Sequence, residues 1–229
     1  MTKLVSDIDE VLTTTRSVRF RMNFDRAVDP SIIEECLRLA QPATMGSNLE
    51  DWRFVAMTSP EQKARVAEVY RHVWLKTVEE PLAVGEADTV EILSPSVRLT
   101  QDAKGRQERT LSSVKYLVDN LERVPVLVFA CSAKPVPDEA MGGKASEYYG
   151  SIFPIVWSFQ LACRSRGLGT VTATAIVYES EELAKILQLP DGTYPITMIP
   201  VGYTKGLDFR PAKRLPLKEI LRWERWENS

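Results

Sequence analysis

Apolar residues at 32, 33, 36, 37 and 40 of "DPSIIEECLRLA" recur at the helical period, with Asp29 placed as N-cap and Pro30 at the first helical position. The turn-rich "QPATMGSNLEDW" predicts a loop, "RFVAMT" a short strand, and residues 60–74 a second helix. From 79 to about 109 no period survives, and two prolines and two glycines interrupt the apolar positions; a long irregular insert of this kind is often a lid. A helix through "LSSVKYLVDNLERV" then leads into "PVLVFAC", whose unbroken apolar run predicts a buried strand, and "AMGGKASEYYG" reads as a loop. The segment "SIFPIVWSFQLACRSRGLG" is apolar nearly all round and stops at Gly167, so it predicts a central buried helix with Pro154 in its first turn or at a kink. A strand "TVTATAIVY", a helix "SEELAKILQL" capped by Ser180, a strand "YPITMIPVGY" and a tail "RPAKRLPLKEILRWERW" complete the pattern.

No linker composition and no internal repeat divides the 229 residues, so one domain over 1–229 is expected, with 79–120 as its lid or substrate segment. With 44% hydrophobic and 26% charged residues the chain falls in the ordinary globular class. A net charge of −2 supplies no general field for nucleic acid, so an anion site must come from local clustering. No apolar run approaches the ~18 residues of a spanning helix, and "MTKLVSDIDE" lacks the basic and apolar regions of a signal peptide. The expectation is a cytoplasmic protein with neither membrane nor nucleic-acid partner. Cys36, Cys131 and Cys163 stand far apart among apolar neighbours, as buried reduced thiols do.

The candidate chemistry narrows by elimination. His72 is the only histidine and sits in a helical pattern, so neither a multi-histidine metal site nor a Ser-His-Asp set is expected. "GLGTVT" at 167–172 lacks the third glycine of a dinucleotide fingerprint and follows a helix instead of a strand. What remains is "TTTRSVRF" at 13–20: Arg16 and Arg19 with Ser17 between them either hold a phosphate by charge-assisted hydrogen bonds or form a solvated basic turn. A protein with no imidazole or privileged nucleophile can still catalyse redox chemistry if a cofactor carries the reactive atom.

"TTTRSVRF", the helix "IIEECLRLA", the loop "ATMGSNLEDWRFV", "PVGY" and "KRLPLKEIL", in that order over nearly the whole chain, resemble the nitroreductase superfamily of FMN-dependent oxidoreductases. "GLGTVTATA" with "KRLPL" downstream is most similar to the branch holding the iodotyrosine deiodinase-like dehalogenases. The resemblance implies an α+β sandwich, a central mainly antiparallel sheet flanked by helices, in an intertwined homodimer whose swapped extension is about 205–229. It implies FMN as cofactor and NAD(P)H as donor, with electrons passed in ping-pong order to a small aromatic or quinone-like molecule. A reductive dehalogenase, a flavin store or sensor, and a flavin-free interaction module are the alternatives.

Carried over by position, Arg16, Ser17 and Arg19 would hold the phosphate and flank the flavin ring, and Lys213 and Arg214 would return to the phosphate from the far end. Met45 and Asn48 would reach the cofactor from the partner's loop, and Thr172, Ala173 and Thr174 would run beside flavin N5, with Thr172 or Thr174 tuning it. Ser47 and Tyr116 would face the substrate, and no metal is implied. Three positions depart from the family pattern: Thr15 replaces a frequent arginine, Thr44-Met45 a Pro-Ser pair, and Glu50-Asp51 a Gln-Pro pair.

Overall fold

The computed structural model describes residues 7–48, 50–84, 101–138 and 142–225. Its centre is a four-stranded sheet of β1 (Trp52–Met57), β2 (Val126–Ser132), β3 (Leu168–Thr170) and β4 (Tyr194–Tyr203), in the order β1-β2-β4-β3 with every ladder antiparallel. β2 is buried at each residue, as its unbroken apolar run requires of a strand covered on both faces.

Strand alternation divides the core in two. Leu127, Phe129 and Cys131 face one layer with Met198, packed on α3 (Pro60–Trp74), α5 (Gln101–Asp119) and α7 (Ser180–Leu187) through Val66, Tyr70, Leu117 and Leu183. Val126, Val128 and Ala130 face the other layer with Ile199 and Val201, packed on α2 (Pro30–Ala40) and α6 (Gly143–Ser165) through Ile33, Cys36, Ile155 and Phe159. The result is the expected α+β sandwich. Short helices α1 (Ile8–Thr14), α4 (Glu80–Ala83) and α8 (Leu217–Ile220) complete the set. Among the described residues, no helix is long and apolar enough to cross a membrane.

The expected boundaries of α2 and α3 hold because their caps are local. Asp29 accepts the Ser31 N–H at 2.9 Å, and Pro30 and Pro60 each occupy the first turn. Four expectations fail. Helix α5 begins at Gln101 instead of Leu111, since the polar "QDAKGRQERT" carries no apolar stripe, and it gives way at Leu121–Arg123 to a 3₁₀ turn. Helix α6 begins at Gly143, so "KASEYYG" is helical and Pro154 lies in the helix interior. Gly150, whose carbonyl the proline leaves without its helical donor, is exposed, which lets solvent replace that donor. "TVTATAIVY" is not one strand: β3 ends at Thr170, Ala173 makes an isolated bridge to Met198, and Ala175–Glu179 winds into a 3₁₀ turn that buries Ile176. Ser180 is the first residue of α7 and not its cap, which is Glu179. Of the lid expected at 79–120, residues 85–100 lie outside the described residues, and the described remainder is largely helical.

The three cysteines are free and buried, and burial pushes the Cys131 thiol up to about 12. His72 lies exposed on α3, 3.6 Å from Glu179.

Candidate active site

After α1 the chain runs along the edge of the sheet. Ser17 forms a parallel bridge with Thr170, and the Val18 N–H donates to the Thr170 carbonyl at 2.9 Å. Gly169 makes this approach possible, because a Cβ there would stand 2.7 Å from that of Val18. The strip carries Arg16 and Ser17, both exposed, and Arg16 Nη1 donates to the Arg210 carbonyl at 3.3 Å. A cavity of about 10 Å³ lies beneath it, between Thr14, Thr15, Arg16, Arg164, Thr170 and Phe209. That is one water's worth of space, too small for a phosphate, and Arg16 and Ser17 are exposed on its open side.

Arg19 turns the other way, into the layer of α3 and α5. It donates to Ser113 Oγ at 3.3 Å, its Nε is buried without a partner among the described residues, and Tyr70 is buried beside it. Burial lowers the pKa of Arg19 and raises that of Tyr70. Arg16 and Arg19 therefore stand at two different loci, the first open to solvent and the second inside the layer of α3 and α5.

Beside the strip, the Gln160 side-chain amide donates to Thr170 Oγ1 and its carbonyl accepts from Thr172 Oγ1, each at 3.0 Å. The Ala173 N–H is committed to the Met198 carbonyl at 2.8 Å. Thr174 is exposed, and its hydroxyl has no partner among the described residues. Tyr116 stacks in an aromatic wall, 4.9 Å from Phe20 and 6.0 Å from Phe24 between ring centroids. Lys213 and Arg214 are exposed in the extension, four residues or fewer past the Arg210 carbonyl held by Arg16, hence within about 14 Å of it along the chain.

The loop predicted to reach the cofactor lies elsewhere. The Gly46 N–H donates to Ser151 Oγ and the Ser47 hydroxyl to Glu147 Oε1, each at 2.9 Å, which fixes the loop on the first turns of α6. A Cβ on Gly46 would stand 2.7 Å from Glu147 Cγ, and Ser47 and Asn48 both adopt left-handed backbone, with φ of 53° and 52°. Met45 is half-buried and Asn48 exposed there. Gln160 is 13 residues beyond Glu147 on the same helix, about 20 Å at the α-helical rise. One chain thus brings Ser17, next to Arg16, against Thr170, with Thr172, Ala173 and Thr174 following along that segment, and leaves Met45, Ser47 and Asn48 at the far end of α6.

Sequence reasoning passed over Gln160 and Arg164. Both are buried, and their signal is legible afterwards: two long polar residues at i, i+4 in a helix otherwise apolar on its buried side.

Residues 12–203 match the model of the nitroreductase family. The chain belongs to that family and is a flavoprotein oxidoreductase of its kind. It is 28% identical to human iodotyrosine deiodinase 1 over 230 residues, 96% of this chain and 70% of that protein. It is also 28% identical over 233 residues to YdgI of Bacillus subtilis, a protein named for NAD(P)H nitroreductase activity, covering 96% and 98% of the two chains. The fold superposes on an iodotyrosine deiodinase structure bound to FMN and 3-iodo-L-tyrosine with a TM-score of 0.67, at 19% identity, over 96% of this chain and 100% of that one.

Proposed function

We propose that this protein is an FMN-dependent oxidoreductase that takes electrons from NAD(P)H and passes them, in ping-pong order, to a small aromatic or quinone-like acceptor. The observation that carries the reading is the meeting of exposed Arg16 and Ser17 with an extension that bears Lys213 and Arg214 a few residues past its anchor on Arg16. Arg16 and Ser17 on one open edge, with Lys213 and Arg214 within reach of it along the chain, would suit a single terminal phosphate, which favours FMN over FAD. FMN supplies the hydride and single-electron chemistry that no side chain here can perform. With FMN bound, exposed Thr174 would offer a hydroxyl toward the ring and Tyr116, in its aromatic wall, a flat surface toward the substrate, while Arg19 stays inside the layer of α3 and α5.

The unit at work in this reading is a homodimer of single domains in the cytoplasm, and the seating of the 46–48 loop about 20 Å along α6 from Gln160 suits a loop that serves the partner's cofactor. Tyr149, Phe153 and Trp157 form an i, i+4, i+8 aromatic stripe on α6, with Tyr149 40% and Trp157 43% exposed, a surface suited to a second copy. The extension from 205 onward, with Leu217 66% and Trp223 80% exposed, would pack on that partner.

Thr174 also favours a second reading. A free hydroxyl beside the ring supports one-electron steps, and the likeness to iodotyrosine deiodinase makes a halogenated phenol the competing substrate. One experiment separates these. The purified protein is reduced anaerobically with NADH or NADPH and mixed with nitroaromatic, quinone and halogenated phenol acceptors in parallel. Reoxidation by the first two supports the main reading, and halide release the second. A yellow protein that neither nicotinamide bleaches is a flavin store, and a colourless one that takes up no FMN refutes both.

A further inference from the structure

Arg164 is only 4% exposed, and it makes no ion pair among the described residues. Its Nε and Nη2 donate to Thr14 Oγ1 at 3.3 and 3.0 Å, Nη2 donates also to the Leu207 carbonyl at 3.1 Å, and Nη1 is buried without a partner among the described residues. The guanidinium lies 4.8 Å from the centroid of Phe209, a ring that Arg21 also covers at 4.2 Å. Burial lowers the pKa of this cation, with the Glu10 carboxylate offsetting only part of the cost, and a leucine or methionine would fill the same space in a helix that is otherwise apolar on this side. The arginine therefore supplies something that packing does not, namely directed bonds to two other elements at once.

Those bonds have a register. Arg164 ties Thr14 of α1 to Leu207, and Arg16, two residues past Thr14, holds the carbonyl of Arg210, three residues past Leu207. The two ties pin 207–210 against 14–16, and Arg214 follows four residues later. Arg21 secures the preceding turn through the Lys205 carbonyl and Asp208, around Gly206 with its φ of 80°. Arg164 itself faces only the cavity of about 10 Å³, too small for a phosphate, so it cannot be a ligand.

We propose that Arg164 is a positioning residue for the phosphate end of the site: through Leu207 and Phe209 it sets where Lys213 and Arg214 return beside Arg16. This rests on the reading of Arg16 and Arg214 as phosphate ligands.

The test is a double-mutant cycle on FMN affinity, read by flavin fluorescence, in the parent, Arg164→Met, Arg214→Ala and the double variant, with hydrogen exchange of residues 205–212 followed in each apoprotein. Arg164→Met weakens FMN about tenfold and speeds exchange at 205–212, while in the Arg214→Ala background it weakens FMN by less, only the part carried by Lys213 remaining. Arg164→Lys, which keeps a donor, recovers part of the loss. Equal weakening in both backgrounds, or parental affinity in Arg164→Met, overturns the proposal. If Arg164→Met does not fold, Phe209→Leu loosens the same clasp without touching the charge; it is expected to repeat the non-additive loss, and parental affinity there is equally fatal. Failure of the underlying reading looks different: Arg16→Ala and Arg214→Ala would both bind FMN like the parent, while exchange at 205–212 would still rise in Arg164→Met.

Discussion

The Thr172 hydroxyl gives its proton to the side-chain carbonyl of Gln160, 3.0 Å away. Because the amide end of Gln160 is engaged by buried Thr170, the Thr172 proton is spent inside the protein, and Thr174 is the hydroxyl left free on this segment. Thr172→Val should then leave the Gln160 oxygen unpaired and cost about 1–3 kcal/mol, seen as a fall in Tm of the apoprotein of roughly 2–4 °C per kcal/mol. Thr174→Val should change stability by less than about 0.5 kcal/mol and instead shift the separation of the two one-electron potentials of the bound flavin. Potentiometric titration with reference dyes reads this. A shift in Thr172→Val and none in Thr174→Val would reverse the assignment.

Arg16→Ala should weaken FMN binding about ten- to a hundredfold, the equivalent of losing a charged hydrogen bond of roughly 1.5–3 kcal/mol. Arg65 is the suitable control, an exposed α3 cation in the groove with Glu68 and His72. Arg21 is not, although it stands near Arg16 in sequence, because it holds Lys205 and Asp208 of the extension. Fluorescence titration of the two apoproteins decides the matter, and matching affinities for Arg16→Ala and Arg65→Ala would remove the phosphate site. The cofactor released by heating should run as FMN on chromatography, and recovery of FAD would contradict the single-phosphate edge.

What could be read from the sequence follows from how local each cause is. Asp29-Pro30 and Pro60 set helix starts by hydrogen bonds within a few residues, so α2 and α3 were legible to the residue. β2 and β4 were legible because burial on both faces leaves a continuous apolar run. The start of α6 was hidden because Gly143 and the polar residues after it read as loop, and only packing of Ala145 and Tyr148 on the core makes them helix. The strip of threonines after β3 has strand propensity throughout, yet Ile176 must reach the core, and tertiary packing prevails. The candidate site was proposed through family resemblance alone. Nothing in the spacing of Ser17 and Thr170 says that they bridge, and nothing in Arg164 alone says that it holds the extension to α1.

Acid should loosen the fold at three identified carboxylates. Side-chain bonding to Ser31 lowers the pKa of Asp29, and bonding to Arg166 and Arg21 lowers those of Glu35 and Asp208. A carboxyl whose native pKa is depressed binds fewer protons folded than unfolded, so its contribution is fully present above the ordinary values of 3.8 for aspartate and 4.5 for glutamate. It is lost as the pH falls through the lowered native value. Urea midpoints at low salt should hold steady down to about pH 5 and then decline, and Glu35→Gln should make that decline shallower. An unchanged acid slope in Glu35→Gln would show that its pairing with Arg166 contributes nothing to folding.

Dimerisation can be tested on two surfaces that belong to different elements. On α6, Trp157 is 43% exposed and continues the stripe of Tyr149 and Phe153, so Trp157→Glu should place a charge in the middle of an apolar contact while leaving the monomer core, centred on Phe159 and Ile155, untouched. In the extension, Leu217, Ile220, Leu221 and Trp223 are all exposed in the single chain, an apolar load that a free tail would not carry in water. Trp226, expected to share this role, lies outside the described residues. Removing residues 217–229 should yield monomer or aggregate by light scattering and lower FMN occupancy, since Met45 and Asn48 would lose the partner whose cofactor they approach. Trp157→Glu should do the same without shortening the chain, which separates loss of the partner from loss of Arg214's neighbourhood. A flavin-loaded dimer surviving both changes would place the contact on other surfaces, whereas a flavin-loaded monomer would mean that each protomer closes its own site, and the 20 Å between Glu147 and Gln160 along α6 would then have to be spanned by a rearrangement of the 43–48 loop.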